Sequence, residues 1–334
     1  MLKLFKQKIW FILFELLAVG LLAYLLIYQS FPARKTFYEN KEKTPLASTS
    51  TKNTINEVAS TSVAQVATTT PKDEPIPLEK LTIKARAAIV YEANTGKVLY
   101  DFNKDEMLPI ASITKLMTAY TASLFIPSDT VITIRPQDAE TESSAGIIAG
   151  ERWDLKNLIA FTLVTSSNGG ASALANEAQN QSQTNFVIKM NEIAKEIGLR
   201  GTAFRNETGL DIYNNQLSGS YSTPQDIATL YSFILKNDPA LLENTNKGYL
   251  TTYSLDNVKH QVVNTNQIIN KIPGLISSKT GTTDLAGGNL AVVFNASPNN
   301  PVVAVILGSS SHGRFSEMEK LVRSTISHFT QKAL

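Results

Sequence analysis

The chain has 334 residues, 43% of them hydrophobic, and carries 31 Lys and Arg against 29 Asp and Glu, a formal charge of +2. That length and apolar share suit one large domain or two small ones with a substantial core, and near-neutrality without a basic patch interleaved with aromatics gives no sign of a nucleic-acid binder. There is no cysteine, which excludes disulfides, a catalytic thiol and thiolate metal sites; His260, His312 and His328 lie far apart without ligand spacing, so neither a metal nor an organic cofactor is expected.

Residues 1–8 are a short basic segment with Lys3, Lys6 and Lys8. Residues 9–28 are almost wholly apolar, broken by Glu15 and Gly20, and reach the roughly 20 residues that span a bilayer. Trp10 at one end and Tyr24 and Tyr28 at the other resemble interfacial belts. The apolar run is longer than a signal-peptide core and no small-x-small site follows closely, which favours an uncleaved transmembrane anchor over a cleavable leader. Lysines flank the span on both sides, so charge leaves its orientation open. Residues 29–80 read as a tether, clearest from Thr44 to Pro77, where Ser, Thr, Pro and charged residues cannot bury enough apolar surface to offset ordering entropy.

The folded domain is expected over 81–334. Ala85–Tyr91 and Lys97–Tyr100 read as strands around the turn Ala93-Asn-Thr-Gly96. A helix then begins near Ser112, because Ile113, Leu116, Met117, Tyr120 and Leu124 recur at helical spacing after Pro109. Val131–Ile134 is a short strand. Helices follow at Leu155–Thr165, Ser172–Gln179, Asn185–Ile197 and Thr223–Leu235. Strands return at Leu275–Lys279, Asn289–Asn295 and Val302–Leu307, and a helix from about Ser316 to Phe329 closes the chain. Short links among the last strands suit an antiparallel meander that the first hairpin can join. The fold class is therefore α+β: an antiparallel sheet flanked by helices, with a helical subdomain inserted between its first and last strands.

Ser112 and Lys115 stand three residues apart at the start of an apolar helix, so their side chains share a face. Ser112 alone reads equally as an N-cap. Lys115 argues otherwise, since a capping box wants Glu or Gln there and a cation in the first turn meets the positive end of the helix dipole. The same potential, with burial, favours a neutral amine that can take a hydroxyl proton. Two further stretches stand out: Thr165-Ser166-Ser-Asn168-Gly-Gly170 between two helices, and Ser278-Lys279-Thr280-Gly281-Thr282 on a strand. Each has a plain structural account, Ser166 to Asn168 as a cap between helices and Lys279 as an edge-strand charge with Gly281 a bulge.

Together, in the order S-x-x-K, S-x-N, K-T-G, they form the motif set of penicillin-binding proteins and class A β-lactamases. Ala87-Ala-Ile-Val90, Asn94-Thr-Gly96-Lys-Val-Leu99, Gly150-Glu151, Phe204-Arg-Asn-Glu-Thr-Gly-Leu-Asp211 and Ser222-Thr-Pro-Gln-Asp226 extend the likeness from about Ala85 onward. The sequence most resembles the low-molecular-weight penicillin-binding proteins that are serine-type D-alanyl-D-alanine carboxypeptidases.

That resemblance implies a β-lactamase/transpeptidase-like fold and acyl transfer on the peptidoglycan stem peptide, with a place in cell-wall synthesis and cell shape. It implies Ser112 as nucleophile, Lys115 as its base and Ser166 as proton relay to the leaving amine. It implies Asn168 as holder of the substrate backbone and Lys279 as the charge facing the substrate carboxylate. Thr280 or Thr282 would assist, and period two does not choose between them. Gly281 would leave a strand edge open to an extended substrate. The Ser112 and Thr282 N–H groups would form the oxyanion hole. Lys279 close to Lys115 would further favour a neutral Lys115. β-Lactam antibiotics would be covalent inhibitors, and the catalytic domain would face the extracytoplasmic side of the cytoplasmic membrane.

Two departures stand beside it. Relatives commonly follow S-x-N with Asp-Ala, whereas Gly169 and Gly170 stand here and should loosen the helix start. The chain also ends soon after its last helix, without the small C-terminal β-domain and amphipathic anchor of the family, so the N-terminal span would replace that anchor. Two rivals remain. A β-lactamase of the same fold would want Ser-Asp-Asn where Ser167 takes the middle place. A non-catalytic wall-binding relative would have no use for a lysine at a helix start.

Overall fold

The structure, a computed structural model, describes residues 75–332. The expected anchor at 9–28 and most of the tether lie outside them. Among the described residues no helix is long and apolar enough to cross a membrane.

The first hairpin pairs β1 (Ala87–Glu92) with β2 (Val98–Phe102), closed where Gly96 N–H donates to Glu92 O. After β3 (Leu108–Pro109) a 3-10 turn at Ala111–Thr114 leads into α1 (Lys115–Phe125). β4 (Val131–Thr133), α2 (Pro136–Glu140), β5 (Arg152–Asp154), α3 (Leu155–Thr165), α4 (Asn168–Ser182) and α5 (Phe186–Glu196) follow. Then come β6 (Ala203–Phe204), β7 (Ser220–Ser222), α6 (Pro224–Asn237) and the hairpin β8 (Tyr249–Tyr253) with β9 (Lys259–Val263). The long strands β10 (Leu275–Thr283), β11 (Gly287–Ser297) and β12 (Asn300–Ser309) precede the closing helix α7 (Gly313–Lys332).

The main sheet runs β10-β11-β12-β1-β2 with every neighbouring pair antiparallel, so the meander and the first hairpin do join. Its central strands are apolar almost without interruption because both faces are covered, and alternation sorts their side chains. Ala291, Val293, Val303 and Val305 face the helical core with Leu116, Met117, Phe161, Leu174 and Tyr231. Val292, Phe294, Ala304 and Ile306 face the other way, onto Phe315, Met318 and Leu321 of α7.

Three local outcomes differ from the sequence expectation. Ser112 is not in the α-helix; it sits in the 3-10 turn, after Ala111 at φ 49, and the helix starts at Lys115. The kink is held from outside: a Cβ on Gly209 would fall 2.0 Å from Ala111 O, so the 204–211 loop packs directly on it. α4 begins at Asn168, four residues before the expected Ser172, because Ser167 Oγ accepts from Gly170 N–H and caps it. The β8–β9 hairpin was not anticipated; it packs Leu250 and Val262 onto Ala160 and Val164 of α3.

Candidate active site

The 3-10 turn, the α3–α4 junction and β10 converge, and all three motif stretches meet there. Lys115 Nζ lies 2.9 Å from Ser112 Oγ, 2.6 Å from Asn168 Oδ1 and 2.8 Å from Thr208 O. Lys115 is wholly buried, and that burial lowers its pKa to about 7, partly opposed by the nearby Glu207 carboxylate. A neutral amine has two N–H bonds and one lone pair. Asn168 Oδ1 and Thr208 O can only accept, so they take both N–H bonds and leave the lone pair toward Ser112 Oγ. In that state Ser112 donates to Lys115, as a general base requires.

The α3–α4 junction separates capping from chemistry. Ser167 is the cap; its Oγ also donates to Ser144 O at 2.6 Å. Ser166 stands at φ 61, a left-handed position that costs a non-glycine residue roughly 1–3 kcal/mol and turns its side chain away from the helix axis. Lys279 Nζ donates to Ser166 Oγ at 2.8 Å and to Thr280 O at 2.9 Å. Asn168 is fixed at both ends: Oδ1 accepts from Lys115, Nδ2 donates to Glu142 O at 2.6 Å, and its backbone N–H donates to Ser143 O.

The two glycines after Asn168 do not loosen it. A Cβ on Gly169 would lie 2.3 Å from Asp138 O, and one on Gly170 would lie 2.2 Å from Thr162 Oγ1. They let α4 press against α2 and α3, and that contact offsets the low helix propensity of glycine.

β10 is an edge of the main sheet, and Gly281 is where it meets the Ser112 turn. A Cβ there would lie 2.5 Å from Ile110 O and 3.2 Å from Ser112 N. Lys279 is 1% exposed and so is no solvent-facing edge charge. Burial, then the charges of Lys115 and Arg314, holds its pKa well below the ordinary lysine value. Both lysines are thus held below the ordinary value, chiefly by burial. Thr280 is buried and its Oγ1 donates to Thr265 Oγ1 at 2.6 Å, whereas Thr282 is exposed and its Oγ1 accepts from Arg314.

Sequence reasoning singled out no role for several residues that complete the site. Thr208 contributes a carbonyl, which no side-chain pattern reports. Arg314, at the start of α7, donates to Gly281 O at 2.7 Å and to Thr282 Oγ1, and so braces the K-T-G strand from behind. Asn289 ties β11 to the nucleophile turn by donating from Nδ2 to Pro109 O at 3.0 Å. His260 serves elsewhere: it is buried, with Nε2 3.0 Å from Glu151 Oε1, and Trp153 Nε1–H donates to the same carboxylate. Among the described residues no group of three or more His, Asp or Glu side chains could hold a metal ion.

Comparison with known proteins agrees with this geometry. The pattern of the D-alanyl-D-alanine carboxypeptidase family matches residues 68–311. The D-alanyl-D-alanine carboxypeptidase DacF of Bacillus subtilis is 33% identical over 242 residues, covering 70% of this chain and 59% of its own length. A D-alanyl-D-alanine endopeptidase of Pseudomonas aeruginosa is 31% identical over 267 residues, covering 77% of this chain and 82% of its own. Among solved structures, penicillin-binding protein D2 of Listeria monocytogenes in its cefotaxime-bound form superposes with a TM-score of 0.64 at 29% identity, over 73% of this chain and 98% of that one.

Proposed function

The chain belongs to the D-alanyl-D-alanine carboxypeptidase family, and from that premise we propose that it hydrolyses the terminal D-alanyl-D-alanine bond of peptidoglycan stem peptides through an acyl-enzyme on Ser112. The observation that carries this reading is the set of three contacts at Lys115: a buried amine whose two N–H bonds are taken by Asn168 and Thr208, and whose lone pair faces a hydroxyl 2.9 Å away.

Ser112 Oγ attacks the carbonyl carbon as its proton passes to Lys115 Nζ. The new oxyanion lies between the N–H groups of Ser112 and Thr282, which the absence of a side chain at Gly281 lets approach each other. Collapse breaks the C–N bond. Ser166, hydrogen-bonded to Lys279, delivers a proton to the departing amine of D-alanine and takes up in its place the proton that Lys115 received from Ser112, which leaves Lys115 neutral again. The terminal carboxylate lies against Lys279, Thr280 and Thr282; its negative charge favours the ammonium form that burial disfavours. Water then attacks the acyl carbon, with Lys115 again as base, and regenerates Ser112. β-Lactams acylate the same serine. Residues 9–28 anchor the chain in the cytoplasmic membrane and place this domain on the outer side, where peptidoglycan is.

Ser112→Ala tests the assignment. It is expected to abolish covalent labelling by fluorescent penicillin and release of D-alanine from a pentapeptide, and labelling that persists would reject Ser112 as nucleophile. Rapid turnover of the penicillin, with no stable adduct, would point to a β-lactamase instead.

A second reading concerns the leaving group. The Pseudomonas endopeptidase is matched over 82% of its length and the Bacillus carboxypeptidase over 59%. The 31% identity to an endopeptidase raises the alternative of cleavage of the D-alanyl bond inside a cross-link, where the leaving amine belongs to a second stem peptide. Digestion of a cross-linked dimer beside a monomeric pentapeptide separates the two activities.

A further inference from the structure

Beyond the motif residues, the segment that holds Lys115 from behind is the loop 204–211. Thr118 Oγ1, one turn along α1 from Lys115, donates to Glu207 O at 2.6 Å, and Lys115 Nζ donates to the next carbonyl, Thr208 O, at 2.8 Å. The Glu207 side chain turns toward α4, where Ser172 Oγ donates to Oε1 at 2.8 Å. Ser172 is one helical turn beyond Asn168, so a single residue, by its backbone carbonyl on one side and its carboxylate on the other, links the helix that carries Lys115 to the helix that carries its asparagine partner. The same carboxylate borders a cleft of about 200 Å³ lined by Arg135, Ser172, Asn176, Gln179, Phe186 and Glu207.

We propose that Glu207 is a positioning residue for the catalytic lysine, fixing where its amine sits through two consecutive carbonyls and setting how readily that amine takes a proton through its carboxylate. The inference rests on Lys115 being the base. The charges around Lys115 make Glu207 the adjustable one. From β10 comes Lys279, with Arg314 of α7 behind it, and both are cationic when charged. From α2 and its preceding residue come Asp138 and Arg135, which are paired at 2.7 Å, with Arg135 also facing the Glu207 carboxylate across the cleft. Glu196 of α5 and Asp238 just after α6 face Tyr120, and Asp238 also accepts from Ser123, all beyond the first turn of α1. Glu207 is thus the anion that offsets the burial of Lys115. Without it the amine holds its proton less tightly, and the neutral, reactive form extends to lower pH.

The test is the rate of covalent labelling by fluorescent penicillin as a function of pH in wild type, Glu207→Gln, Glu207→Asp and Ser172→Ala. In Glu207→Gln the acidic limb is expected to move to lower pH by about half a unit or more, and Glu207→Asp, which keeps the charge, is expected to return it toward wild type. A Gln limb that coincides with wild type overturns the proposal, whatever happens to the plateau, because a purely structural role lowers the rate at every pH without moving the limb. Where the Gln variant does not fold, Ser172→Ala decides in its place: it frees the carboxylate to withdraw into the cleft, and an unmoved limb is again the overturning result. Failure of the underlying mechanism looks different, as labelling that survives Ser112→Ala.

Discussion

Burial pushes Lys115 toward its neutral form. With its pKa lowered to about 7, the neutral amine is the minority form below that pH and the majority above it. Acylation by penicillin should therefore fall through an acidic limb centred near pH 7, read from labelling rates between about pH 5 and 9. Lys115→Arg is expected to remove that limb together with at least about 10²-fold of the rate, since a guanidinium never gives up its proton in this range. At this scale much was legible. Ser112, Lys115, Ser166, Asn168 and Lys279 each carry a side chain whose type and spacing imply chemistry, and the structure hydrogen-bonds Lys115 to Ser112 and Asn168, and Lys279 to Ser166. What stayed hidden is of two kinds. Thr208 acts through its backbone, and any residue type offers the same carbonyl. Glu207 and Arg314 are ordinary charges in sequence, and only their neighbours in space give them a role.

The elements are held together by close backbone approach, which puts glycine where a side chain would collide. Gly169→Ala would set a methyl group 2.3 Å from a backbone oxygen of α2. The expected cost is about 1–3 kcal/mol of stability, read as a lower Tm, together with slower penicillin labelling as Asn168 shifts. Gly281→Ala meets Ile110 O at 2.5 Å and would lever β10 away from the Ser112 turn. Its labelling rate should drop at least about tenfold while the fold survives, because the damage is at one edge of the sheet. The elements themselves were mostly readable, since α1, α3, α5, α6 and the long strands follow their periodicities. The start of α1 was not. Its helical spacing runs back to Ser112, but the left-handed Ala111 and the 204–211 loop impose a 3-10 turn that periodicity does not encode. The β8–β9 hairpin escaped for a related reason: its inward residues mix Leu250, Thr252 and His260, so its apolar alternation is weak.

For the molecule as a whole, two buried lysines tilt stability toward alkaline pH. In the unfolded chain Lys115 titrates near 10.5 and in the fold near 7. Between those values the unfolded state binds the extra proton, so this contribution makes the fold more stable as pH rises through that window. Lys115→Met should flatten the rise of Tm with pH from about 7 to 10. Removal of residues 1–28 should release the protein from the membrane fraction with its penicillin labelling intact, as expected if the tether only spaces the domain from its anchor. The sequence by itself singled out the candidate reacting groups and determined the apolar faces and the order of the main strands and helices, because each is written in residue type and local spacing. Tertiary structure alone decided what takes each N–H bond of Lys115, how deeply Lys115 and Lys279 are buried, and why glycines stand at 169 and 170. Protonation, hydrogen-bond saturation and backbone clearance depend on atoms brought together from distant parts of the chain, and no local pattern records them.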